Sequence, residues 1–294
     1  MLFSEAAAAY LEEKRRTRRA NTVEGYESAL RCHVLPRWGA MEVAAINTDD
    51  VQEWVLAFDK PGAAQKAFKT LRQVLRWTIR KHHLRIWLAT EGVELPRKPA
   101  YRPRVLDARG LKNMLRALWG SDPEVEGAAI IGGCLGARRG EAAAVDLAKD
   151  IDWRTGEVHL GASLQVVGGE VVVMPPKTPK SDRVAVLPAF ALRRLRQIFP
   201  KSKRKGRIAG EARPDAVARR IRAVCKAAGV DSVPPTMLRH TWATLAIEAG
   251  VGIETVAMML GHTGIGTAYK HYIMSRTSIC REAQRAVEKL LLAA

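Results

Sequence analysis

The pair Arg239-His240 lies within the segment Pro235-Thr-Met-Leu-Arg-His-Thr-Trp-Ala-Thr-Leu-Ala-Ile-Glu-Ala-Gly250 and has companions suited to the same chemistry. Downstream come Leu260-Gly261-His262 and then Tyr272, and upstream Leu135-Gly-Ala-Arg138-Arg-Gly-Glu141 holds a further arginine. A guanidinium pairs bidentately with anionic oxygens and keeps its proton near neutral pH. A tyrosine offers an oxygen nucleophile. An arginine standing alone reads by default as half of a structural salt bridge; this one does not stand alone, and the set of residue types suits an anionic phosphate.

These residues need elements to hold them. The segment 235–250 has helical spacing with Leu238, Trp242, Leu245 and Ala249 as its buried stripe, which predicts that Arg239 and His240 project elsewhere from the same helix. Arg138 falls at a junction between helices. From 1 to about 95 the pattern is helical, with Leu71, Val74, Leu75, Thr78 and Ile79 recurring at three and four, and Asn21-Thr22 offers an N-cap. Arg15, Arg16, Arg18, Arg19, Lys66, Lys69, Arg72, Arg76, Arg80 and Lys81 stand between the apolar positions. Singly each reads as a solvated side chain, and together they read as a basic face.

Pro96, Pro99 and Pro103, interleaved with Arg97, Lys98, Arg102 and Arg104, cannot continue a helix and set a domain boundary. The division expected is 1–95, a helical domain; 96–106, a basic linker; and 107–294, a second domain. Helices are expected at 111–119 and up to about Gly133, then β-type segments at 157–160, 164–167, 170–174 and 183–187, with Gly168-Gly169 as a tight turn. Helices resume after Pro188 at 216–228, 237–249 and 253–260, with a last one from about Thr277. The run Lys201, Lys203, Arg204, Lys205, Arg207 reads as a mobile loop. The fold class is mainly α with a small antiparallel β-sheet.

The chain has 294 residues, 47% of them hydrophobic, enough for two packed domains. Lys and Arg number 48 against 30 Asp and Glu, a formal net charge of +18 that favours a polyanionic partner, nucleic acid first, although acidic membranes attract such charge too. The four cysteines lie far apart with no CxxC pair and no zinc-finger spacing, and read as buried residues in a reducing compartment, Cys134 as core packing. No HExxH, Walker loop or dinucleotide glycine pattern occurs, and His82-His83 reads as a basic helix end, so neither metal nor cofactor is expected. With no secretory leader pattern and no apolar run of membrane length, a cytoplasmic, membrane-free protein is expected.

In motif order and spacing the chain resembles the tyrosine recombinase, or phage integrase, family. Gly136-x-Arg138-x-Gly140-Glu141 is similar to the family's first arginine box, Leu238-Arg239-His240-Thr241 to the second, and Leu260-Gly261-His262 to its histidine turn. Tyr272, ten residues beyond His262, matches the nucleophile, and Pro176-Lys177-Thr178 resembles the hairpin that carries the family lysine, with Lys180 as a rival. Each motif is weak alone; five in order are specific. The resemblance implies a helical core-binding domain and a mixed α/β catalytic domain. It implies that Arg138 and Arg239 clamp the pentacoordinate phosphate, His262 hydrogen-bonds it, Lys177 protonates the departing 5′ oxygen and Tyr272 forms the covalent bond, with Glu141 and His240 in support. A phosphotyrosine stores the energy of the cut bond, so rejoining needs no ATP.

One position departs from the pattern. The family's usual histidine three residues before its second arginine is Thr236 here, a residue that can donate a hydrogen bond to phosphate but cannot hold a proton as imidazole does. The resemblance further implies double-stranded DNA attachment sites as partners and a homotetramer on DNA with carboxyl-terminal helix exchange. Host or phage accessory DNA-bending factors and a role in moving a phage or other mobile element complete it. A type IB topoisomerase-like relaxing enzyme and a non-catalytic sequence-specific DNA-binding protein are the alternatives. With helical pattern from Met1, no arm-binding domain is expected, and Leu290-Leu-Leu-Ala-Ala294 resembles the end of a bacterial degradation tag.

Overall fold

A computed structural model describes residues 1–99, 103–176 and 178–262. The chain divides into two compact units, Met1–Tyr101 and Arg102–Ala294.

The first unit is helical: α1 (Phe3–Thr17), α2 (Ala20–Ala29), α3 (Leu35–Trp38), α4 (Thr48–Leu56) and α5 (Pro61–Lys81). Between α2 and α3 the turn Leu30–Val34 is widened, with the Leu35 N–H reaching back to the Leu30 carbonyl. Pro36 supplies the reason, because its ring has no N–H and crowds the carbonyl four residues back. The Asn47 side chain caps α4 by accepting from the Asp50 N–H at 2.8 Å. Asn21 and Thr22 do not cap α2: Arg19 holds the N-cap position and both residues lie inside the first turn. The long α5 buries Ala64, Ala67, Phe68, Leu71, Val74, Leu75, Trp77 and Thr78 on one face, as the three-and-four spacing predicts.

In the second unit come α6 (Ala108–Ala117), α7 (Pro123–Leu135), α8 (Arg139–Ala144), β1 (Glu157–His159), β2 (Ser163–Val167), β3 (Glu170–Met174), β4 (Val184–Val186), α9 (Ala189–Ile198), α10 (Pro214–Ala227), α11 (Pro235–Glu248) and α12 (Ile253–Leu260). The β residues form two two-stranded antiparallel ladders, β1 with β4 and β2 with β3, instead of one sheet. Val167 pairs with Glu170 across Gly168-Gly169, whose φ values of 59° and 88° are the left-handed pair that a two-residue hairpin turn requires.

The centre of this unit is α7, buried on every side from Val125 to Leu135. It carries no amphipathic pattern because α6, α8, α9, α10 and α11 all pack against it. Glu126, the one charge there, is paired with Arg194 at 2.5 Å. The basic run at 201–207 is tied down: the Arg204 guanidinium lies 4.0 Å from the Trp153 ring centre, Arg207 pairs with Glu211 at 2.7 Å, and the Leu147 N–H donates to the Gly206 carbonyl. Arginine's planar head stacks and forks where lysine's does not, which separates Arg204 and Arg207 from the exposed Lys201, Lys203 and Lys205.

Candidate active site

The helix α7 ends at Gly136, whose φ of 63° places it in the left-handed region. A side chain there is excluded twice, by that backbone and by Leu260 and Trp242 atoms 2.8 Å from where a Cβ would stand. The chain leaves this turn through Ala137 to Arg138, the N-cap residue of α8. Glu141, one turn into α8, reaches back with both oxygens: Oε2 accepts from the Arg138 backbone N–H at 2.9 Å and Oε1 from Arg138 Nη1 at 2.5 Å. The Arg138 side chain keeps 42% of its surface exposed while Glu141 keeps 7%. A partly open, pre-aimed guanidinium results.

Helix α11 starts at Pro235 and carries Thr236 exposed on its first turn, with Arg239 and His240 one turn later. Off the expected stripe, the arginine is nonetheless buried. Arg239 is 7% exposed, and it donates from Nη1 to the Gly136 carbonyl at 3.1 Å and from Nη2 to the Leu260 carbonyl at 2.6 Å. The expected stripe is only partly buried: Leu238 is covered, Trp242 and Leu245 are half-buried and Ala249 is exposed. The reason is that α11 packs against α7 on one side and α12 on another, so its burial has no single face. His240 is half-buried.

Helix α12 also ends in a left-handed glycine, Gly261 at φ 66°, and His262 follows it directly with its N–H on the Ala257 carbonyl at 3.0 Å. A Cβ on Gly261 would stand 2.6 Å from the Lys180 carbonyl oxygen, so the turn Pro179–Ser181 lies against the end of α12. Arg239 therefore ties together two turns, one two residues before Arg138 and the other two residues before His262. Lys177 and Tyr272, with its neighbour Tyr269, lie outside the described residues, as do the expected helix from Thr277 and the Leu290–Ala294 end.

Arg183 was missed as a site residue by sequence reasoning, which read it only as the start of a strand. Its side chain is 7% exposed and its Nη2 donates to Glu141 Oε2 at 2.9 Å. Burial pushes the Glu141 carboxyl up, but the Arg183 guanidinium and the bonds from Arg183 and Arg138 outweigh it and hold the group below the ordinary carboxylate range. Nothing in the sequence separates this arginine from the exposed ones around it. Cys134, two residues before Gly136, is buried with its thiol pushed up to about 12, which agrees with packing and not with nucleophilic use. No helix among the described residues is long and apolar enough to cross a membrane, and no group of three metal-ligating side chains occurs among them.

Residues 134–278 match the family model described as phage integrase family, and residues 2–57 match that of the phage integrase N-terminal SAM-like domain. Tyrosine recombinase XerC of Xylella fastidiosa is 25% identical over 277 residues, covering 86% of this chain and 86% of its own. Tyrosine recombinase XerD of Mycobacterium tuberculosis is 27% identical, covering 84% of this chain and 85% of its own. Among solved structures, the Tn1549 transposon integrase in complex with a circular intermediate DNA superposes with a TM-score of 0.81 at 14% identity, covering 98% of this chain and 99% of that one. A lambda integrase dimer bound to a core site gives 0.68 at 16% identity, covering 92% and 96%. These two likenesses speak for the fold.

Proposed function

This chain belongs to the phage integrase family of tyrosine recombinases, and we propose that it cuts and rejoins DNA at specific sites through a 3′-phosphotyrosine on Tyr272. The observation that carries the reading is the bridge made by Arg239, which joins the turn before Arg138 to the turn before His262. A phosphodiester is already anionic, and attack adds charge to the equatorial oxygens of the pentacoordinate state. Donors fixed beforehand stabilise that charge without reorganising during the reaction. Arg138 and Arg239 clamp those oxygens, and His262 adds a hydrogen bond. Tyr272 Oη bonds to phosphorus as the P–O5′ bond breaks. Lys177 gives the 5′ oxygen its proton while the phenol releases its own to water, from which Lys177 is re-protonated, so cleavage has no net proton demand.

The division of labour follows the two units. Residues 1–95 form the core-binding domain, 96–106 the linker and 107–294 the catalytic domain. The net charge of +18 suits a clamp on duplex DNA attachment sites. Four protomers on two duplexes, linked by exchange of carboxyl-terminal helices, would exchange strands in turn through a Holliday junction, with accessory DNA-bending factors where the site demands them. Integration or excision of a mobile element in the bacterial cytoplasm is the task this serves.

The test is covalent capture. The full chain is incubated with a pool of nicked duplexes of randomised sequence, adducts are isolated under denaturing conditions, and both the bound DNA and the modified peptide are sequenced. We expect one DNA motif and an adduct on Tyr272, with Tyr272→Phe binding DNA but forming none. An adduct mapped to Tyr269, or a complete absence of adduct in a chain that binds DNA, would overturn the assignment. Adducts without any sequence preference would favour a relaxing enzyme.

A further inference from the structure

Arg183 makes more contacts in the site than any role in a strand requires. Its Nε donates to the Met259 carbonyl at 2.7 Å, its Nη1 to the Ser181 carbonyl at 3.1 Å and its Nη2 to Glu141 Oε2 at 2.9 Å. Those bonds reach the end of α12, the turn that follows Lys177 in sequence, and the carboxylate that grips Arg138. The Arg183 side chain is 7% exposed, as is that of Glu141, so the pair is buried while Arg138 at its outer end is 42% exposed.

We propose that Arg183 is a positioning residue for strand cleavage: anchored on the Met259 and Ser181 carbonyls, it fixes the Glu141 carboxylate, and through it the Arg138 guanidinium that meets the phosphate. The chain of contacts has a direction. A guanidinium bonded at three nitrogens to three separate partners has no freedom to turn, so the carboxylate oxygen on its third arm is fixed as well. Glu141 takes its other oxygen to Arg138 Nη1 at 2.5 Å and anchors the Arg138 backbone N–H, which leaves the exposed guanidinium one orientation in place of several. Close packing keeps the anchors in register. Gly261 lies against Lys180 and Ser181, and a Cβ on it would stand 3.4 Å from Arg183 Cδ; a Cβ on Gly140 would stand only 2.6 Å from the Leu164 carbonyl oxygen on β2. Orientation of this kind is worth much to catalysis, since displacement of a reacting group by about 1 Å costs on the order of 100-fold in rate.

The inference rests on Arg138 being a phosphate clamp, and its test separates the two ideas. Single-turnover cleavage is measured on the nicked duplex recovered by covalent capture, at saturating protein, beside DNA affinity and thermal unfolding. Arg183→Lys keeps a charge beside Glu141 and loses the fork; it is expected to fold, to bind DNA as the parent does, and to cleave roughly 100-fold more slowly. Arg183→Ala leaves a buried carboxylate half-paired and is expected to unfold earlier as well. The deciding measurement is the same Arg183→Lys change made in an Arg138→Lys chain, where a residue acting through Arg138 has little left to lose, about 3-fold or less. A merely structural role would lower the rate equally in both backgrounds, and that result, or a parental rate for Arg183→Lys, would overturn the proposal. If the parent chain forms adducts and Arg138→Lys cleaves at the parental rate, the clamp reading itself fails.

Discussion

The two units are packed from different materials. The first is held by large rings: Tyr10 meets Trp77 edge-on at 5.8 Å, Trp38 meets Trp54 at 5.5 Å, and Trp54 meets Phe58 at 5.3 Å. In the second, α7 is rich in Ala, Gly, Ile and Val, and backbone passes close to backbone at Gly140 and Gly261. Rings fill the space between separate amphipathic helices, each burying a large area edge-on against its neighbour. Small residues let turns approach until carbonyls and guanidiniums meet at hydrogen-bond distance. The second material suits a unit that holds several polar groups in fixed relation.

That contrast has measurable consequences, the largest at Arg239. Arg239→Ala removes one arm of the proposed phosphate clamp and the bridge between two turns, and single-turnover cleavage should fall by about 1,000-fold or more. A loss confined to stability, with cleavage intact in the folded fraction, would show that the bridge is structural alone. Gly136→Ala comes next. The left-handed backbone and the overpacking against Leu260 and Trp242 together should lower unfolding stability by about 3 kcal/mol in denaturant titration. In the ring-packed unit, Trp77→Phe deletes the indole bond to Glu13 Oε2 at 2.9 Å but keeps much of the ring packing. A loss of about 1–2 kcal/mol is expected, with cleavage at saturating DNA unchanged.

The pH dependence sharpens the same comparison. Glu141 is held below its ordinary range in the fold, so the stability it confers is complete above about pH 4.3 and is lost as pH falls through the lower folded value. Glu141→Gln should flatten the acid limb of the stability curve, read by circular dichroism; an unchanged limb would count against the ion pair. The smallest effect is expected at Thr236, exposed one turn before Arg239. Thr236→His places an imidazole where the family pattern that the chain resembles has one, and cleavage should rise several-fold. Slower cleavage at equal affinity would mean that the site is fitted to threonine.

Much of the frame was legible in the residues. The span of α12, the hairpin over Gly168-Gly169 and the buried face of α5 follow from local spacing and turn chemistry, which act within a few residues. The motifs around Arg138, Arg239 and His262 were legible as a set, and the fold brings the turns that carry them together. The inward aim of Arg239 was not legible, because a helical wheel assumes one buried face and α11 has more than one. Arg183 was invisible for a related reason: beside the nearby Ser181 carbonyl, its partners are a carbonyl and a carboxylate from two distant segments, and no periodicity encodes them. The ordering of Arg204 and Arg207 was hidden as well, since composition alone does not distinguish a stacked arginine from a solvated one.

The position of Arg239 also bears on the electric field at the site. The carbonyls it holds, Gly136 and Leu260, lie at the carboxyl ends of α7 and α12, each of which carries roughly half a negative charge from its aligned peptide dipoles. Two such ends pointing at one spot would repel an incoming phosphate. One buried guanidinium contributes a full positive charge there, enough to offset both, so the fold uses Arg239 to remove a repulsion that would otherwise oppose the two arginines of the proposed clamp.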